Sequence, residues 1–287
     1  MGRTILTDCR IIDPAESKII EDGLLTLLHG EQAPDCIGYC GNREAAKIGE
    51  MGADDFVLSL EGAALLPGLI DVQAELLNNE KSIPQTTLSA YRKAAEMLSH
   101  GIMTVGAKAD KFGIVQALAE SSEKYFLWLP MIVLVEETDC SPAYCLFRGL
   151  PEKGSKMEQL WLEEANKACR QGMKPVLATM AEAVCQPDGS LTLVRMAELL
   201  VEGGYSPMEA LQALTSNAAE LLGKGSHNGR LVSGFEGDII AVKGNPLEKI
   251  SDLNNCVMCA RGGRLIHSTL SGLKKSNFNL LPPGYDY

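Results

Sequence analysis

Apolar and polar residues follow two different rhythms along the 287 residues. Residues 4–65 hold short apolar runs, such as Ile11-Ile12 and the stretches 24–28 and 56–60, broken by Gly, Pro, Asp and Asn. That texture predicts strands joined by turns. It returns over residues 229–266, in Arg230-Leu231-Val232, Asp238-Ile239-Ile240-Ala241-Val242 and Arg264-Leu265-Ile266. Between these ends the period lengthens. A strand-like stretch at 64–72 precedes a helix predicted over 86–99, where Leu88, Tyr91, Ala95 and Leu98 share one face and Gly101 follows as a stop. Next come a strand near 103–106, a helix over 115–123 and an apolar strand over 126–135. Ser155 with Glu158 reads as a capping box opening a helix that ends at Gly172. A strand at 175–179 and a helix at 191–202 follow. Ser206-Pro207-x-Glu209 combines an N-cap, Pro at the first helical position and Glu at the third, and opens a helix pair closing at Leu222-Gly223. Strand and helix in alternation predict a mostly parallel sheet of βαβ units, flanked by a β module drawn from both chain ends.

Charge narrows the choice of partner. Lys and Arg number 26 against 37 Asp and Glu, a formal net charge of −11, and the pI is near 4.9. Such a surface repels phosphate backbones and anionic lipid, so neither nucleic acid nor membrane is expected as a partner. No apolar run reaches the roughly 18 residues of a spanning helix, and the first residues, Met1-Gly2-Arg3-Thr4-Ile5-Leu6, lack the apolar core of a signal peptide. A cytoplasmic protein is expected.

Nine cysteines form no even disulfide framework. Two spacings invite a metal, Cys36-x3-Cys40 and Cys256-x2-Cys259. On regular strands Cys256 and Cys259 face opposite ways, whereas Cys36 and Cys40 share a face but stand far apart. Reduced, buried thiols are the expectation for all of them.

Two stretches resemble the amidohydrolase superfamily, the metal-dependent hydrolases that include dihydroorotase, imidazolonepropionase and N-acetylglucosamine-6-phosphate deacetylase. Leu65-Leu-Pro-Gly-Leu-Ile-Asp71-Val-Gln73-Ala-Glu75 is similar to the family's first barrel strand, L-P-G-x-I-D-x-H-x-H. From Gly203 onward, Gly-Tyr-Ser-Pro-Met-Glu-Ala-Leu, Thr215-Ser-Asn-Ala-Ala-Glu-Leu-Leu-Gly223, Gly229-Arg-Leu, Gly234-Phe-Glu-Gly-Asp-Ile-Ile-Ala-Val and Gly244-Asn-Pro-Leu succeed one another in family order. His100-Gly-Ile-Met-Thr-Val is a weaker match to the second strand. The resemblance implies an α/β fold with a small composite β-sandwich over residues 1–65 and 229–287. Residues 66–228 correspond to a shortened, incomplete TIM-barrel-derived βα region, because about 160 residues fall short of the roughly 250 of a closed barrel. Four strands, with a fifth at most, fit into that length. An unclosed sheet has edges to hide, by self-association or by the loop over 136–154 folding across.

The chemistry departs from the family. There, H-x-H places two imidazoles on one strand face to hold a metal that acidifies bound water. Here the positions of the two ligands are Gln73 and Glu75, and only the preceding Asp71 matches. The family's last strand ends in Thr-Asp, the Asp serving as ligand and base; here it ends in Thr179-Met180. The four histidines, at 29, 100, 227 and 267, lie away from strand ends of the middle region. Cys185 falls in the loop after the last strand with no partner His in view, and Lys108 and Asp110 read as surface residues. The expectation is a non-catalytic binding or assembly module without cofactor. It would form a homo-oligomer or associate with an intact amidohydrolase, and a small-molecule ligand stays open. The alternative is a hydrolase of a non-peptide C–N bond, a cyclic amide or N-acyl group, with Asp71 and Glu75 as acid–base pair. Only that alternative calls for a divalent metal.

Overall fold

The computed structural model describes residues 2–29, 36–46, 52, 54–77, 82–124, 129–136, 142–181 and 183–270. Parts of the stretches 126–135 and 136–154 and all of 271–287 lie outside the described residues. Both chain ends build one sheet. Its strands are β1 (Arg3–Asp13), β2 (Lys18–Leu28), β3 (Cys36–Asn42), β4 (Phe56–Ser59), β5 (Ala64–Pro67), β11 (Ile239–Val242), β12 (Cys256–Arg261) and β13 (Arg264–Ser268). They run in the order β13-β12-β11-β5-β1-β2-β3, with β4 also on β1. Leu6, Leu25, Ile37, Leu65, Ile239 and Met258 share the buried cluster on one side of it. Among the described residues hydrogen bonds join all eight strands into one sheet. Arg230-Leu231-Val232, expected as a strand, is loop; the Leu231 backbone N–H donates to Asp13 instead of to a neighbouring strand.

The middle supplies five parallel strands, β6 (Leu69–Asp71), β7 (Ile102–Ala107), β8 (Met131–Leu134), β9 (Tyr144–Arg148) and β10 (Lys174–Ala178). Ladders join β6-β7-β8 and β10-β9. The two groups meet where Val72 N donates to Leu177 O (3.2 Å) and Met180 N to Gln73 O (3.0 Å), which aligns the strands as β8-β7-β6-β10-β9. Strand β9 was expected to be loop. Ser141-Pro142 and Gly149-Leu150-Pro151 bracket its five residues in the sequence, and the parallel ladder to β10 makes them a strand.

Alternation along β10 assigns the two faces of this sheet. Leu177 joins the large core built with helices α1 (Ile83–Ser99), α2 (Ile114–Lys124), α3 (Lys156–Arg170), α4 (Thr192–Glu202) and α5 (Pro207–Ala213). Val176 and Ala178 face the opposite way with Ile70 and Val72, onto Ala218, Ala219 and Leu222 of α6 (Ser216–Leu221) and its cap. Of the two expected capping boxes, that of Ser206 is complete, while at Ser155 the N-cap half forms and Glu158 Oε2 accepts from Gly154 N instead. Ser155 Oγ accepts from Glu158 N at 3.1 Å, and Ser206 Oγ accepts from Glu209 N at 3.2 Å while Glu209 Oε2 accepts from Ser206 N. Helix α1 is rotated from expectation. Ala90, Lys93, Ala94, Met97 and Leu98 are its buried residues, whereas Leu88 and Tyr91 are exposed.

Single-residue bulges invert both cysteine spacings. Ala241 pairs with Met258 but Val242 with Cys256, leaving Val257 as an extra residue in β12. Val257 and Met258 therefore both face the terminal-sheet core, and Cys256 and Cys259 both face the helical core. In β3 the extra residue is Gly38, since Tyr39 pairs with Thr26 and Ile37 with Leu27. That slip breaks the shared face expected of Cys36 and Cys40.

Candidate functional site

The strand ends of β6 and β10 meet at Asp71, which is fully buried. Its Oδ1 accepts the backbone N–H groups of Gln73 and Thr179, each at 3.1 Å. Its Oδ2 accepts the Thr179 hydroxyl. Opposite stands the Lys93 ammonium, from the buried face of α1. Lys93 Nζ donates to Glu75 O and to Ala181 O at 2.8 Å, and its charge acts on Asp71. Burial pushes the Asp71 carboxyl above the usual carboxylate range, against the opposing pull of Thr179, Gln73 and Lys93. The space left beside Asp71, Lys93, Met97 and Thr179 is about 10 Å³, the lower limit for a single water.

The other expected positions are not brought together with Asp71. Glu75 lies beyond the end of β6 with its side chain exposed, so it contributes a carbonyl and not a carboxylate. Gln73 is buried beside a separate cavity of about 30 Å³ that it lines with Glu75, Lys108 and Met180. Met180 is 46% exposed and has φ +45°, a left-handed conformation strained for a side chain of its type. Asp110 caps α2, accepting from Phe112 N at 2.8 Å and Val115 N at 2.7 Å, and Lys108 is exposed. Outside the strand ends, Glu152, Glu158, Met180, Asp188 and Arg195 line an open cleft of about 710 Å³.

A metal fits poorly here. Among the described residues no group of three or more His, Cys, Asp or Glu is arranged to hold an ion. Asp71 accepts from Gln73 N and from the Thr179 backbone N–H and hydroxyl, and the charge of Lys93 acts on it. Zinc or iron needs several neutral or anionic donors around one point; a lysine cation is the opposite.

Sequence reasoning missed Lys93 and Thr179. Lys93 was legible in principle, since Ala90, Ala94 and Met97 flank it at helical spacing on an apolar face, where a lysine needs a buried partner. It also placed Cys185 out of reach of any imidazole. The structure sets Cys185 Sγ 3.8 Å from His100 Nε2. Burial and then Glu96 push that thiol up rather than down, so the pair is not an activated nucleophile.

Residues 162–266 match the Amidohydrolase family. Ochratoxinase from Aspergillus niger is 32% identical over 90 residues, 31% of this chain and 19% of that protein, so the matched stretch spans about a fifth of that relative. Among solved structures, a Xaa-Pro dipeptidase with methionine bound in its active site has a TM-score of 0.73 at 15% identity, over 93% of this chain and 100% of that one. Molinate hydrolase has 0.72 at 12% identity, over 92% and 94% of the two chains. The A. niger ochratoxinase structure has 0.66 at 13% identity, over 93% and 96%. The chain therefore shares the fold of these solved structures across nearly all its length, and residues 162–266 carry the sequence pattern of the Amidohydrolase family.

Proposed function

We propose that this protein is a non-catalytic member of the amidohydrolase fold, a binding or assembly module in which a lysine ammonium takes the place of the metal. The observation that carries the reading is the Lys93–Asp71 arrangement. The carboxylate that remains of the family motif is used up by Thr179 and Gln73, and Lys93 fastens the β6 and β10 strand-end loops through Glu75 O and Ala181 O. Such a site holds loops together.

The five parallel strands are what is left of a barrel that lost its central units, and the composite module of residues 1–65 and 229–287 came with it. Self-association suits the free sides of β8 and β9, each of which has one strand neighbour among the described residues. The 710 Å³ cleft beside Met180 and Arg195 is where a small molecule would be held. We place no catalytic role on Asp71 or Glu75.

Two measurements test this together. Protein produced with zinc, iron and manganese supplementation should carry well under one transition metal per chain. A panel of lactams, N-acyl amino acids and dipeptides should show no turnover above the Lys93→Ala and Asp71→Asn variants. One tightly bound metal per chain, or turnover lost with Asp71→Asn, would overturn the reading.

A further inference from the structure

The bulge in β12 brings two thiols, Cys256 and Cys259, onto one face of a strand, both packed against the helical core. Cys259 is fully buried and its Sγ lies 3.6 Å from Leu98 O, at the C-terminal end of α1. Cys256 is partly exposed, and its Sγ lies 3.4 Å from Met258 O. We propose that Cys256 and Cys259 are a dithiol–disulfide couple that exchanges with a low-molecular-weight aliphatic disulfide, Cys256 attacking and Cys259 resolving.

The asymmetry of the pair suits these roles. The Cys259 thiol holds the Cys256 thiol below the usual thiol range against the effect of burial. Cys259 is pushed up, by Cys256 and then by burial. The thiolate is the attacking species, so the more acidic and more accessible sulfur goes first. The Cys256 thiolate forms a bond to one sulfur of the small disulfide and expels the other half as thiolate. Cys259, losing its proton to that thiolate or to solvent, then attacks the Cys256 sulfur and expels the second half. One protein dithiol is oxidised, and one small disulfide is reduced to two thiols.

Oxidation removes the S–H groups at both sulfurs, including the one nearest Leu98 O. Leu98 closes the helix that carries Lys93, so the couple sits at the far end of the element that fills the strand-end site. Cys185 and His100 adjoin the same helix end, and Cys185 is the competing resolving thiol.

The test uses the full-length protein, incubated with oxidised glutathione, quenched by alkylation and mapped by peptide mass spectrometry. The expected product is a Cys256–Cys259 disulfide that dithiothreitol reverses. Cys259→Ser should trap a glutathione adduct on Cys256, Cys256→Ser should slow disulfide formation at least tenfold, and Cys185→Ser should change neither. The wild-type map stands whether or not the variants fold. Free Cys256 and Cys259 after other cysteines have reacted would overturn the proposal. So would a Cys185–Cys256 product, or thiols blocked by stoichiometric zinc.

Discussion

Thr179 gives both its backbone N–H and its hydroxyl to one carboxylate, that of Asp71, across 108 positions of sequence. These two bonds lock the end of β6 to the end of β10, and the Lys93 ammonium supplies the compensating charge.

Removing one member of a buried charged group costs more than removing the group. Lys93→Met leaves the Glu75 and Ala181 carbonyls without their donor and Asp71 without its cation, a loss of about 3–5 kcal/mol. Asp71→Asn alone should cost about 2–3 kcal/mol. The double variant should lose less than the sum by about 1 kcal/mol or more. Urea denaturation of the four proteins measures this, and simple additivity would show that Lys93 and Asp71 do not interact.

Restoring the ligands of the family pattern should not restore metal binding. Gln73→His, Glu75→His and Met180→Asp together leave the ammonium of Lys93 in place, and position 75 still faces solvent. Zinc titration by calorimetry should show no site tighter than that of the unmodified protein. Adding Lys93→Ala to the three is the informative fourth change, because it removes the resident cation.

Asp238 makes stability depend on pH in a defined direction. Burial raises its carboxyl to about 6; Arg261, Gly262 N and Asn228 oppose this, and Glu236 adds to it. The folded state thus keeps this proton to higher pH than the unfolded chain does. The stabilising contribution is full below about pH 4 and is lost as pH rises to about 6, roughly 3 kcal/mol in all. Urea midpoints of the unmodified protein, relative to Asp238→Asn, should fall between pH 4 and pH 6.5. A constant difference would remove Asp238 from the pH response.

Gly106 sits where β7 runs closest to the segment beyond β6. A Cβ there would lie 1.9 Å from Val72 O, a fixed backbone atom. Gly106→Ala should cost about 4 kcal/mol or more. Circular dichroism and soluble yield check this, and a variant with the original melting temperature would show that the two strands part easily.

Much of this molecule was legible from local pattern. Helix ends announced themselves, because Ser155 with Glu158 and Ser206 with Glu209 satisfy their own backbone groups within a single turn. Gln73, Glu75 and Met180 could be read directly as standing where the resemblance implies two histidines and an aspartate, because residue type needs no folding to be seen. The five-residue strand β9 was missed although Ser141-Pro142 and Gly149 bracket it, because so short an apolar run is fixed as a strand only by its ladder to β10.

The amino-acid order thus determined the alternation of elements and the acidic net charge, both legible along the chain without its folding. Tertiary structure decided which face of α1 is buried, and hence that Lys93 meets Asp71 across 22 positions of chain. It also decided that Cys256 and Cys259 share one face of β12. One extra residue in a strand reverses the facing of every side chain beyond it, and only the partner strand shows where that residue lies.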